Sequence, residues 1–189
     1  MARAKSDDKR TAILAAATQV IAAEGISAAT ARIAKIAGVA EGTLFTYFSN
    51  KDVLLNQLYL QLKTELRDVM LPAYPKSRSL RARVKHVWER YLEWGIANPE
   101  KRKTIAQLSV CDRVTSETRA DAAHAFEDIH SLVEESLASG QLQGHSPAFV
   151  SAIMGTLAET TMDFMTRDAQ HAERYSASGF TAFWNAITK

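Results

Sequence analysis

Apolar residues recur along this chain at helical spacing, with polar or small residues filling the positions between them. Spacings of three and four put an apolar set on one face of an α-helix, whereas a half-buried strand would alternate every second residue. Ile13, Leu14, Ala17, Val20 and Ile21 form the first such stripe, with Ser6 placed to cap its helix and Gly25 to end it. Ile33, Ile36 and Ala37 make a second, shorter stripe. Gly38 follows where a left-handed residue would end that helix, and Val39 turns the chain back to the core. Leu44, Phe45 and Phe48 are the apolar set of a third short helix over residues 41–48. Two short helices across a tight Gly-containing turn make a helix-turn-helix, whose second helix can enter the major groove of DNA.

Longer helices follow. Residues 51–70 are apolar at Val53, Leu54, Leu58, Leu62 and Leu66, and Pro72 and Pro75 break the run. Residues 80–97 carry Val84, Val87, Trp88, Tyr91 and Leu92. Asn98-Pro99 restarts the pattern with Ile105, Leu108 and Val110, since Pro suits a first helical turn. Residues 116–139 read as one helix with Ala122, Phe126, Ile129, Val133 and Leu137. Ser146-Pro147 signals another start, ahead of Phe149, Ile153, Leu157, Thr161 and Phe164. The last helix begins near Ala172. No segment shows convincing period-two alternation, and the chain carries no internal repeat. The expectation is an all-α protein: an N-terminal three-helix DNA-binding head over residues 1–50 and a larger helical body over 51–189.

The second short helix has a surface suited to DNA. Gly42, Thr43, Thr46 and Tyr47 are small or hydroxyl-bearing, so backbone can approach closely and hydroxyls can donate to phosphate oxygens. Lys51 follows, where an ammonium can reach phosphate. Glu41 opens the helix, where a carboxylate favours the positive end of the helix dipole; a second reading has it accept from a cytosine amino group. Spacing alone leaves an ordinary helical hairpin as an equal alternative.

Composition narrows the class. At 189 residues and 47% apolar, the chain can bury a substantial core. It has no apolar run of about 18 residues, so no membrane span is expected. MARAKSDDKR has no apolar segment of a signal peptide, and a single cysteine gives no disulfide framework, so a cytoplasmic location follows. Net charge is +2, but residues 1–51 hold seven basic and four acidic side chains, a basic head on a slightly acidic body. His86, His124, His130, His145 and His171 form no metal-binding pair, and there is no nucleophile elbow or phosphate-binding Gly-rich loop. The reading is therefore no enzyme, no metal and no cofactor.

AGVAEGTLFTYFSNKDVLL resembles the N-terminal DNA-binding segment of the TetR family of bacterial transcriptional regulators. The matching residues are Ile33-Ala34, Ala37-Gly38-Val39, Gly42-Thr43-Leu44, Tyr47-Phe48 and Lys51. The likeness runs from Lys9 to about Leu60. Four positions depart from the family's pattern. Ala40 and Ala29 stand where capping hydroxyls are common, Phe45 where Tyr is usual, and Glu41 where a basic or polar residue is frequent. Ser27 or Thr30 is expected to replace the missing cap of the first short helix. The resemblance implies DNA contacts from Thr30, Glu41, Gly42, Thr43, Thr46, Tyr47 and Lys51.

It also implies a small-molecule pocket in the body, for which Trp88, Tyr91, Cys111, Phe126, Met154, Met162 and Met165 are the candidates. The last two helices are expected to form a homodimeric four-helix interface through Gly155, Ala158, Phe164, Phe180, Phe183 and Trp184. For any single body residue plain core is the stronger reading. The implied function is a ligand-responsive repressor, released from a pseudo-palindromic double-stranded DNA operator by a small effector. The rivals are a helical carrier or enzyme, or a protein-binding adaptor, with a vestigial head.

Overall fold

The computed structural model describes residues 2–139 and 143–188. Among the described residues there are ten α-helices and no strand. They are α1 (Ala2–Glu24), α2 (Thr30–Ile36), α3 (Glu41–Tyr47), α4 (Lys51–Met70), α5 (Leu80–Ala97), α6 (Pro99–Ser109), α7 (Ser116–His124), α8 (Glu127–Ser139), α9 (Pro147–Arg167) and α10 (Ala172–Ile187). No helix among the described residues is long and apolar enough to cross a membrane. The chain divides into two compact units, one of residues 1–65 and 98–122, the other of 66–97 and 123–189.

In the first unit the predicted stripe of α1 is fully buried, with Ile13, Leu14, Ala17, Val20 and Ile21 at 1% exposure or less. They share a core with Ile33 of α2, Leu44 of α3, Leu54, Leu55 and Leu58 of α4, and Leu108 of α6. α6 is fixed to α1 by polar bonds. The Thr104 hydroxyl donates to the Thr18 carbonyl at 3.0 Å, and Gln107 Nε2 donates to the Ile21 carbonyl at 3.1 Å. α1 runs from Ala2, and the Ser6 side chain, expected as its cap, lies outside the described side chains. Gly25 ends it at φ +86°, a left-handed conformation that costs a glycine little.

The Lys101-Arg102-Lys103 run of α6 reads from the sequence as an exposed helix start, and the structure differs. Arg102 is buried, because Thr104, Ile105 and Leu108 turn that side of α6 inward. Lys101 pairs with Glu65 at 2.6 Å. The turn after α6 is tied to α4. Asn56 Nδ2 donates to the Arg113 carbonyl at 2.8 Å, the Thr115 N–H donates to Asn56 Oδ1 at 3.0 Å, and Arg113 pairs with Asp52.

The second unit packs α5 and α8 with α9 and α10. Trp88 is fully buried and stacks on Phe183, with ring centroids 5.8 Å apart at 14°. Phe180 lies against the same indole at 6.4 Å. α9 is capped as its sequence predicts: Ser146 Oγ accepts from the Phe149 N–H at 3.3 Å, with Pro147 in the first turn. A short 3-10 turn, Ala169–His171, joins α9 to α10. Tyr175 donates to the Asp168 carboxylate at 3.0 Å and His171 Nδ1 lies 3.0 Å from it; the His171 bond chiefly, and then the Tyr175 bond, hold that carboxyl below its ordinary pKa.

The single helix read over 116–139 is two. Helical bonding gives way at Ala125-Phe126, where Phe126 N–H donates to the Ala123 carbonyl at 2.9 Å and Ile129 N–H to the Phe126 carbonyl at 2.8 Å. These three-residue closures tighten the chain between the two helices.

Candidate nucleic-acid interface

α2 and α3 have only seven residues each, too short to persist alone in water. Burial holds them: Ile33 and Ala34 anchor α2, and Leu44 and Phe48 anchor α3 and its C-terminal end. Gly38 makes the turn at φ +67°, and a Cβ built there would meet nothing within 4 Å, so backbone conformation alone asks for glycine. Neither helix has a side-chain cap. Ala29 and Ala40 hold the capping positions in extended conformation.

Thr30 does not replace the missing cap. Its hydroxyl donates to Glu41 Oε1 at 2.7 Å, linking the starts of α2 and α3 across the turn. Ser27 is exposed and gives α2 no side-chain cap either. The Glu41 carboxylate therefore has a protein partner, in addition to its favourable place at a helix start. Asn50 supplies a cap the sequence reading overlooked, for α4: its Oδ1 accepts from the Val53 N–H at 2.9 Å.

Leu44 and Phe48 fix the rotation of α3. Gly42 and Thr46 then face outward, and the Thr46 hydroxyl is folded back on the Gly42 carbonyl at 3.1 Å. Thr43 and Tyr47 are half-buried on one flank. Phe45, expected inside with Leu44 and Phe48, is 41% exposed on the other flank. The core meets α3 on the side of Leu44 and Phe48, and Phe45, about 100° round the helix from Leu44, falls outside that contact.

Lys51 is more engaged than expected. Its Nζ donates to the Ala28 carbonyl at 2.6 Å, bracing the α1–α2 loop against the start of α4. Burial first, and then the Arg113 cation, push its pKa below the ordinary lysine value, against the pull of Asp52 and Cys111. Lys51→Ala should therefore lower the thermal midpoint modestly, by about 1 kcal/mol of stability, as well as weaken DNA binding without regard to sequence. A salt titration of affinity should show a slope shallower by roughly one per phosphate lost. An unchanged slope would leave Lys51 a structural brace only.

Residues 13–58 match the family model described as bacterial regulatory proteins, tetR family, and they span α1 to α4 through this interface. Residues 13–58 form a DNA-binding domain of the TetR family. A protein of Shewanella sp. PV-4 assigned to tetR family transcription regulators is 29% identical and superposes with a TM-score of 0.81, covering 94% of this chain and 97% of its own. The HTH-type transcriptional regulator YhgD of Bacillus subtilis (strain 168), itself uncharacterised, is 24% identical over 156 residues, 79% of this chain and 80% of YhgD. The transcriptional regulator FadR of Bacillus subtilis, solved in complex with stearoyl-CoA, is 18% identical with a TM-score of 0.66 over 93% of this chain and 98% of FadR, a likeness of fold alone. With this TetR-family domain, the chain is a DNA-binding transcriptional regulator.

The candidate pocket residues of the body are dispersed. The second unit holds an apolar cavity of about 30 Å³, lined by Val84, Val87, Ile129, Leu132, Met154 and Phe183 among others. Of the seven candidates only Met154 lines it. Trp88 and Met162 are fully buried core, and Tyr91 stacks on Trp94 with its hydroxyl donating to Glu159 at 3.3 Å. Phe126 and Met165 are half-buried. Cys111 belongs to the first unit, buried, with its carbonyl accepting from Arg119 at 2.9 Å. Thirty cubic ångströms is the scale of one water molecule, far below the several hundred that enclose a small-molecule ligand.

The candidate interface residues also divide. Phe180 and Phe183 are 5% and 3% exposed, turned in on Trp88 within their own unit, and Ala158 is fully buried. They are not available to a second subunit. Phe164 is 46% exposed beside the Tyr175 ring, and Gly155 and Trp184 are half-buried. The outward positions are instead small: Ala152, Thr156 and Thr160 on α9, and Ala177, Ser178, Thr181, Ala182 and Asn185 on α10, where they line a shallow concavity.

Proposed function

We propose that the chain is a homodimeric, ligand-responsive repressor that reads a pseudo-palindromic operator with one α3 per subunit. The observation that carries the reading is α3 itself: anchored by Leu44 and Phe48, it presents Gly42, Phe45 and Thr46 to solvent, flanked by Thr43 and Tyr47. One helix of two turns reaches only a few base pairs. Two such helices about 34–36 Å apart would read successive major grooves. On this reading residues 1–50 read DNA and residues 51–189 bind effector and partner.

The dimer contact is assigned to the small-residue faces of α9 and α10 together with Phe164. Small side chains let helices of two subunits approach closely, and the buried area should exceed roughly 1,000 Å². The effector is an apolar small molecule entering the second unit from the cavity beside Met154, which must open to admit it. Release of DNA requires that the effector bind the open form more tightly than the closed one.

A gel shift with the DNA flanking its own gene tests the reading, run beside sedimentation at micromolar concentration. A discrete shifted band from a dimer is expected. A monomer that binds that DNA tightly without pairing on it would overturn the dimeric reading, and no shift over nonspecific DNA would overturn the repressor.

A further inference from the structure

We propose that Phe45 reads the 5-methyl group of a thymine in the operator, making it a specificity-determining residue of α3. The inference rests on the DNA-reading role proposed above. Phe45 is 41% exposed on a helix whose other apolar residues, Leu44 and Phe48, are fully buried. Its neighbours on the outward side, Gly42 and Thr46, are small, and a Cβ built on Gly42 meets nothing within 4 Å. The ring therefore stands above a low surface and is the largest apolar projection of the outward side. A phenyl group has no donor for phosphate and none for a base acceptor. The thymine methyl is the one apolar group that an unmodified base pair presents in the major groove. The Thr46 hydroxyl donates to the Gly42 carbonyl at 3.1 Å, so its proton is not offered to a base acceptor. Glu41 is similarly engaged by Thr30. The Thr46 proton and one oxygen of Glu41 are thus engaged within the protein, and the largest side chain on the outward side of α3 is apolar.

The test uses full-length protein and a duplex selected by it from a random-sequence library. Each thymine of the selected duplex is replaced singly by deoxyuridine, which keeps the pairing and removes the methyl. At one thymine, or at a symmetric pair, wild-type affinity should fall about fourfold per methyl lost. Phe45→Ala should bind thymine and uracil duplexes alike at that position, and Phe45→Leu should keep part of the difference. Placing 5-methylcytosine there should bind better than cytosine for wild type but not for Phe45→Ala. Equal wild-type affinity for every thymine and uracil duplex, or a methyl preference that survives in Phe45→Ala, would overturn the inference while leaving DNA reading intact. Failure of the library to yield any preferred sequence would overturn the DNA-reading proposal and this inference with it.

Discussion

Gly179→Ala is expected to destabilise the second unit by roughly 2–3 kcal/mol. A Cβ at Gly179 would lie 2.3 Å from Thr161 Oγ1, 2.9 Å from Trp88 Cζ2 and 3.1 Å from Thr161 Cγ2. None of these atoms has room to retreat. Thr161 is buried and its hydroxyl donates to the Leu157 carbonyl at 2.7 Å, while the Trp88 indole is held between Phe180 and Phe183. Alanine in place of glycine inside a helix ordinarily stabilises by about 0.5–1 kcal/mol, so a loss here would be the clash outweighing the propensity. All three tryptophans, Trp88, Trp94 and Trp184, lie in the second unit, so urea unfolding followed by their fluorescence reports on that unit. Adding Thr161→Ala should recover part of the loss, because it removes two of the three obstructing atoms. A double variant no better than Gly179→Ala alone would show that Thr161 is not what the new methyl strikes.

Gly42→Leu should do the opposite: keep the fold and abolish DNA binding. The Gly42 Cβ direction is open, so a leucine meets no protein atom at its root. Leaving glycine in a seven-residue helix should raise stability by up to about 0.8 kcal/mol. On DNA the same side chain stands between α3 and the groove, and affinity should drop roughly 100-fold, about 2.7 kcal/mol. Fluorescence anisotropy against the selected duplex, beside a thermal melt, separates the two effects. Retained affinity at an unchanged midpoint would mean that α3 does not approach DNA by its Gly42 side.

Much of this was legible before the structure, where local chemistry decides. Gly25 and Gly38 mark left-handed turns, Ser146-Pro147 marks the start of α9, and the span of α4 follows from its apolar spacing and the prolines beyond it. What was not legible depends on partners distant in sequence. Phe180 and Phe183 look like spare surface until Trp88, some ninety positions away, is seen to receive them. Gly179 carries no sequence signal at all, since its need arises from Thr161 and Trp88 on other helices. The break at Ala125-Phe126 has no glycine or proline to announce it. Apolar character places Phe45 inside with Leu44 and Phe48, and its exposure depends on where the other helices end against α3, which no local pattern states.

The outward side of α3 makes its own demand on heredity. Leu44 and Phe48 hold the helix from one side, and Gly42 and Phe45 stand on positions that the protein's core does not need. A lineage can therefore try new side chains at these two positions one mutation at a time, each intermediate still folded. Recognition of a duplicated or drifting promoter can follow by single steps, without a second change elsewhere to restore the scaffold. The residues that choose the target are free to diverge at a pace that those under Leu44 cannot share.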